Sequence, residues 1–134
     1  VEIILAKACV SLKPGGRLVV EVHPFDEVRR QGLAPAFWQS AQTGLFSDRP
    51  HFWLQEQFWD EATATTTTRY LIVDAERADV TEYGSTMQAY TDEQLRKMLE
   101  AAGMSNVRGI EESDWPAGEG LTDKLRVFAC EKAF

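Results

Sequence analysis

The sequence predicts an α/β protein in which a partial mixed sheet carries flanking helices and an antiparallel insert. Three observations predict it: a helix followed by a strand over residues 1–23, a two-residue hydrophobic period over 51–90, and a capped helix with two strands over 91–134. We expect one domain of 134 residues, with 1–23 and 91–134 supplying the main sheet and 24–90 the insert.

Apolar residues at helical spacing predict the first helix over residues 1–12. The stripe that we expect to be buried consists of Val1, Ile4, Leu5, Ala8 and Leu12. Ile3 and Val10 lie off this stripe, so the helix needs cover on more than one face. Pro14 ends the helix, and the two glycines after it turn the chain into an apolar strand over 17–23.

The insert begins with two short predicted helices, over 25–30 and 34–41. From residue 51 the side chains alternate, with Phe52, Leu54 and Phe58 on one face and Trp53 and Trp59 on the other. Five threonines in six positions open a long predicted strand over 63–73, because threonine favours strands over helices. A third strand over 80–89 completes an antiparallel meander.

The clearest helix of the sequence lies over residues 91–102. Thr91 is placed to cap its N-terminus, and Gln94 completes a capping box. Gly103 ends the helix. The stripe that we expect to be buried consists of Leu95, Met98, Leu99 and Ala102.

Two segments resemble class I S-adenosylmethionine-dependent methyltransferases. Residues 12–16 (Leu-Lys-Pro-Gly-Gly) lead into the strand 17–22 as the family's turn leads into its fifth strand. Residues 90–103 resemble the family's closing helix, and the predicted strands 106–110 and 124–132 resemble its final hairpin. The resemblance is to the C-terminal half of the family's Rossmann-like fold.

The resemblance implies the substrate-side portion of a methyltransferase that acts on a small molecule, with residues 24–90 as a substrate lid. No Gly-x-Gly-x-x-Gly pattern is present, so S-adenosylmethionine is implied by the resemblance alone and we expect none bound to this chain by itself. One alternative is a non-catalytic dimeric module that binds a ligand or a partner. Another is an unrelated α+β fold, which would not run strand 17–22 parallel to 106–110.

His23 is the candidate catalytic base, because it ends the strand at the edge where active sites of this family open. The alternative is a histidine bonded to nearby backbone. A zinc site built from His23, Cys9, His51 and Cys130 lacks the close ligand spacing of structural zinc, so we predict no metal.

The candidate substrate-binding residues are Trp38, Trp53, Trp59, Arg69 and Tyr90. The tryptophans either line an apolar pocket or form the core or an interface of the lid. Arg69 either holds a substrate carboxylate in bidentate fashion or pairs with a glutamate of a neighbouring strand. Tyr90 either faces the pocket or packs against the helix that follows it. The acidic loop over 111–123 is predicted to be solvated.

The composition limits the partners. A net charge of −7 argues against nucleic acid, and no apolar run is long enough to span a membrane. Cys9 and Cys130 are predicted to be buried thiols, as in a cytoplasmic protein. Because no partner strand for 17–22 is evident on one side, we expect a homodimer through that strand edge or through helix 1–12, with a small molecule as the ligand.

Overall fold

The computed structural model describes residues 1–114 and 125–134. The chain divides into two compact units. The core unit comprises Val1–Phe25 and Tyr90–Phe134, and the insert unit comprises Asp26–Ala89. These limits lie within two residues of the main-sheet and insert segments expected from the sequence.

The described residues of the core unit form two α-helices and three strands: α1 (Glu2–Ser11), β1 (Arg17–Val22), α3 (Asp92–Ala101), β6 (Met104–Ile110) and β7 (Arg126–Lys132). The insert unit contains four strands and all but the first residue of α2: α2 (Phe25–Gly32), β2 (Phe37–Ala41), β3 (His51–Asp60), β4 (Thr65–Asp74) and β5 (Val80–Gln88). A short 3₁₀ turn spans Glu112–Asp114, and the predicted acidic loop lies outside the described residues from position 115. None of the helices in the described ranges has the length and apolar character needed to cross a membrane.

The core sheet has the strand order β1-β7-β6, and both pairings are antiparallel. Strands β1 and β6 therefore run parallel to each other, as the methyltransferase resemblance requires and the unrelated α+β fold does not. Because β7 lies between two strands and is covered on both faces, the adjacent residues Val127 and Phe128 are both buried. Asn106, at positive φ, lies where the β6–β7 register shifts.

The core of this unit forms where α1 and α3 pack with the sheet, and it contains Leu5, Cys9, Leu95, Leu99, Met104, Val107, Phe128 and Cys130. The predicted buried stripe is wrong at two positions: Val1 is 53% and Ile4 69% exposed, whereas Cys9, outside the stripe, is buried. Periodicity did not identify the inner face because α1 carries apolar side chains all round. Ile3 and Val10 are also exposed.

The capping box of α3 is confirmed. The Thr91 hydroxyl accepts a hydrogen bond from the Gln94 backbone N–H (3.2 Å), and the Gln94 side-chain oxygen accepts one from the Thr91 N–H (2.9 Å). Leu95 and Leu99 are buried as expected, and Gly103 follows the helix at a φ of 95°. This is the left-handed conformation in which glycine commonly ends a helix.

The insert sheet has the strand order β2-β3-β4-β5, with every pairing antiparallel. The helix predicted over 34–41 is wrong, because residues 37–41 form β2 and make the meander four-stranded. The edge of β3 offers a full row of backbone partners, and Trp38 lies directly opposite Leu54. This tertiary pairing outweighs the weak local preference for a helix.

The insert sheet has two chemically different faces, because directly paired residues point to the same side. The helix-covered face carries Trp53, Trp59, Gln55, Gln57, Thr66, Thr68 and Tyr70. The open face carries Trp38, Phe52, Leu54, Glu56, Phe58, Arg69 and Leu71. Helix α2 is hydrogen-bonded to the helix-covered face: the buried Thr66 hydroxyl donates to the Val28 carbonyl at 2.6 Å.

Gly32 allows α2 to approach this sheet closely. A Cβ atom at position 32 would lie 2.4 Å from the Thr66 hydroxyl oxygen and 2.9 Å from Trp59 Cβ. We expect Gly32→Ala to lower the free energy of unfolding by about 1–3 kcal/mol, as overpacked sites do. Urea unfolding followed by tryptophan fluorescence measures this, since Trp38, Trp53 and Trp59 all lie in the insert unit.

Gly44→Ala is the matched control, because the nearest atom to its added Cβ is His51 Cε1 at 3.9 Å. Its stability should equal or slightly exceed that of the wild type. Equal effects of the two substitutions would contradict the close approach of α2.

Thr91→Ala removes the cap of α3. We expect a loss of about 1 kcal/mol of stability, because the Gln94 backbone N–H loses the hydroxyl that accepts its hydrogen bond. Far-UV circular dichroism during urea unfolding measures the change. Thr91→Ser keeps the hydroxyl and should retain most of the stability; a loss as large as that of alanine would show that the cap is not responsible.

Candidate functional site

The structure distributes the site residues expected from the sequence over both units. His23 and Tyr90 lie in the core unit, and the other four lie in the insert unit: Trp38, Trp53, Trp59 and Arg69. Within the insert sheet, Trp38 and Arg69 share the open face, whereas Trp53 and Trp59 lie on the helix-covered face. The six residues therefore do not form one site within either unit.

His23 follows the last residue of β1 directly and is exposed. In the described part of the chain its imidazole has neither a carboxylate partner nor the backbone hydrogen bond of the alternative interpretation. Tyr90 is half-buried and directly precedes the N-cap Thr91. His23 is thus available as a base, but no described residue of its own unit orients the ring.

The open face of the insert sheet contains an apolar groove of about 340 Å³. Trp38, which is 68% exposed, forms one wall, and Leu54 and Leu71 lie side by side on the floor. The Arg69 guanidinium lies at the groove and forms an ion pair with Glu56 on the neighbouring strand. This is the alternative foreseen for Arg69, and it leaves the groove without an uncompensated positive charge.

The helix-covered face contains an aromatic cluster that forms part of the insert's own core. The Phe46 ring packs on three others, with centroid distances of 5.1 Å to Trp53, 5.3 Å to Tyr70 and 5.6 Å to Tyr83. Trp53 therefore packs inside the insert, and its buried Nε1 has no hydrogen-bond partner in the described part of the chain. The Trp59 indole donates instead to Glu61, at 2.6 Å.

The same face contains a polar cavity of about 250 Å³, which the sequence analysis did not identify. Its lining residues are Arg30, Gln31, Ala34, Phe37, Gln55, Gln57, Thr66, Thr68, Tyr70, Ser85 and Met87. Polar residues at alternate strand positions resemble an ordinary solvated face in a sequence. The sequence did contain an indication of the cavity. Gln55 and Gln57 alternate in step with Trp53 and Trp59, so their amides lie on the same, more buried face, as do the hydroxyls paired with them.

Every arginine of the insert unit is close to a carboxylate, and this unit has no lysine. Four arginines form ion pairs, namely Arg29–Glu61, Arg30–Glu27, Arg49–Asp74 and Arg69–Glu56. The fifth, Arg77, contributes its backbone N–H and its charge to lowering the pKa of Asp74. An anionic ligand would therefore have to compete with a carboxylate already in place.

Comparison with known proteins shows that this chain shares its fold with part of several solved methyltransferases. No protein-family model and no curated protein matches the sequence. A methyltransferase of Clostridium acetobutylicum that depends on S-adenosylmethionine matches 99% of this chain and 51% of its own, with a TM-score of 0.66 and 11% identity. An amino pentose methyltransferase of Micromonospora echinaspora, solved with S-adenosylmethionine bound, matches with a TM-score of 0.61 and 20% identity. The match covers 98% of this chain and 50% of that methyltransferase.

A sugar N-methyltransferase of Streptoalloteichus matches 99% of this chain and 49% of its own, with a TM-score of 0.64 and 15% identity. The chain spans about half the length of the structures that it matches. The core sheet, the insert and the closing helix together therefore have the fold of part of a methyltransferase domain, as the sequence resemblance predicted.

Proposed function

We propose that the chain is the acceptor-side half of a methyltransferase that transfers a methyl group from S-adenosylmethionine to a small molecule. The observation that carries the proposal is the match of nearly the whole chain to about half of several such enzymes. Two of these are described as acting on an amino pentose and on a sugar, which supports a small-molecule acceptor.

Exposed apolar side chains and an unpaired strand edge on the core unit support the proposal that a cofactor-binding half packs there. Strand β1 has one neighbour in the described sheet, so its other edge presents unpaired backbone groups. On α1, Ile3 is 72% and Val10 79% exposed, and Val19 on β1 is 57% exposed. These three residues, Ile4 and the free edge of β1 are together called the open boundary. We propose that the cofactor-binding half packs against this boundary.

Within residues 1–114 and 125–134, the glycine-containing turns do not fit a phosphate or adenosyl cradle, which needs backbone N–H groups that are free to bind a ligand. The Gly15 N–H donates to the Lys132 carbonyl at 3.0 Å, and the Gly16 N–H donates to the Lys13 carbonyl at 2.8 Å. The Gly44 and Gly103 N–H groups are likewise bonded to backbone carbonyls. We infer that the chain alone does not bind S-adenosylmethionine.

The contribution of this chain is to hold and orient the acceptor. Alignment of two reactants supplies much of the rate acceleration when a bimolecular reaction takes place within one complex. His23 is the residue we propose to receive the acceptor proton, because its exposed imidazole follows β1 and has no competing partner in the described residues. We place this activity in the cytoplasm, where the buried thiols of Cys9 and Cys130 remain reduced.

The alternative function is a dimeric module that binds a ligand or partner without catalysis. The same open boundary supports it, since a second copy could pair through the edge of strand 17–22 or through helix 1–12. The two functions differ in what covers the boundary, and so they differ in cofactor binding and in oligomeric state.

Calorimetry with S-adenosylmethionine tests the first function. We expect no heat of binding from the isolated chain, and binding once the chain is joined to a cofactor-binding half encoded upstream of it or supplied as a separate polypeptide. Tight one-to-one binding by the isolated chain would contradict our assignment of the cofactor site. Loss of methyl transfer by His23→Ala in the joined protein, with binding retained, would support the role of His23.

Light scattering tests the alternative. If two copies meet at the open boundary, the wild type should be a dimer at micromolar concentration, and the double substitution Ile3→Glu and Val10→Glu should give a monomer because it buries two carboxylates in the contact. Leu45→Glu is the control, since Leu45 is exposed in the insert unit and lies outside the boundary. A wild type that is already monomeric would exclude the dimeric module.

A further inference from the structure

The polar cavity of the insert unit contains hydrogen-bonding groups that the protein itself does not use. Thr68 and Ser85 are directly opposed on β4 and β5, and Tyr70 lies two residues along the same face. None of these three hydroxyl groups is hydrogen-bonded to another described residue; Thr68 and Tyr70 are half-buried and Ser85 is exposed, so the groups are accessible to a ligand. Each hydroxyl can both donate and accept, so together they suit a ligand that offers several hydroxyl groups.

The amide side of the cavity is already oriented. The Gln57 amide donates to the Pro35 carbonyl at 3.2 Å, and its oxygen accepts a hydrogen bond from Gln55 at 3.0 Å. The Gln55 side-chain oxygen therefore remains as an acceptor whose position is fixed by this chain of contacts. A group held by neighbouring bonds loses less freedom when a ligand binds.

The cavity does not favour an ionic ligand. Among the described lining residues Arg30 alone is charged, and both oxygens of the Glu27 carboxylate accept hydrogen bonds from its guanidinium, at 2.6 Å and 2.9 Å. A carboxylate or phosphate would have to displace Glu27 or lose its hydration without a counter-charge, and both are costly. The net charge of −7 adds long-range repulsion of anions.

The size and the apolar part of the lining limit the shape of the ligand. A volume of about 250 Å³ lies below the 300–1,000 Å³ typical of drug-sized ligands, so the occupant is a single small ring. Phe37 and Met87 provide apolar contacts beside the hydroxyl groups. A saturated ring with polar edges and apolar C–H faces matches such a mixed wall.

We propose that this cavity binds a neutral, polyhydroxylated monocyclic molecule. Resting on the proposed function, we further assign this molecule as the methyl acceptor or as the part of it by which the acceptor is recognised. The cavity is built entirely within the insert unit, so binding of such a molecule does not require the cofactor-binding half.

Saturation-transfer NMR on the full chain tests the proposal, with glucose as the neutral probe and glucuronate and inorganic phosphate as the anionic probes. The double substitution Thr68→Val and Ser85→Ala removes two hydroxyl groups and keeps similar shapes. The matched control is Thr67→Val with Thr86→Ala, because these residues form the adjacent pair on the open face. Circular dichroism checks that both variants are folded.

We expect glucose to bind in the millimolar range, with affinity reduced about tenfold in the first variant, equivalent to about 1.4 kcal/mol, and unchanged in the control. Glucuronate should bind more weakly than glucose, and phosphate should not bind. Equal losses in both variants, absence of glucose binding by the wild type, or tighter binding of either anion would overturn the proposal.

Because this assay uses neither S-adenosylmethionine nor methyl transfer, its outcome is separate from that of the proposed function. Glucose binding with no methylation in the joined protein would leave a neutral-ligand site in a non-catalytic module. Methylation without glucose binding would place the acceptor elsewhere and refute the assignment of this cavity.

Discussion

The antiparallel pairing of β7 with β1 on one side and β6 on the other is the interaction on which the core unit depends. It joins the first and last segments of the chain into one sheet and buries Val127 and Phe128 on opposite faces. It also leaves β1 with a free edge, beside a helix whose outer apolar residues face solvent. An exposed apolar helix face and a free strand edge are both costly in water, and under the proposed function the cofactor-binding half covers both.

The insert unit is stabilised differently. Helix α2 packs tightly on one face through Val28, Gly32 and Thr66, and aromatic rings complete the same core. Its arginines lie close to carboxylates, so the unit presents little uncompensated positive charge to a ligand. In the proposal, recognition in this unit depends on hydroxyl and amide groups and on shape, which differs from the arginine–carboxylate contact considered from the sequence.

The sequence predicted the parts of the fold that local chemistry determines. The capping box at Thr91 followed from the residues of the helix start, whereas the parallel direction of β1 and β6 was implied by the methyltransferase resemblance. Strand β2 was missed because its pairing depends on β3, which lies beyond a nine-residue connection and cannot be inferred from local preference. The inner face of α1 was misassigned at Ile4 because a helix that is apolar all round has no distinctive period.

The candidate site was harder to predict than the fold. Arg69 and the tryptophans were chosen for their chemical type, yet their roles depend on cross-strand neighbours: Glu56 neutralises Arg69, and Phe46 packs against Trp53. The polar cavity escaped notice because Thr68 and Ser85 meet only when β4 and β5 are in register. The proposal places ligand binding in the segment 24–90 that the sequence interpretation assigned to a lid, but the pairing register determines which residues face one another.

Amide hydrogen exchange of β1 tests most directly whether the core unit is an incomplete layer. In the monomeric chain, the account predicts that about half of the amides of residues 17–22 exchange rapidly, because only one edge of β1 is bonded to β7, whereas β7 is protected throughout. Addition of a cofactor-binding half should protect the remaining β1 amides. Uniform protection of β1 in the monomer, or no change when that half is bound, would contradict the account.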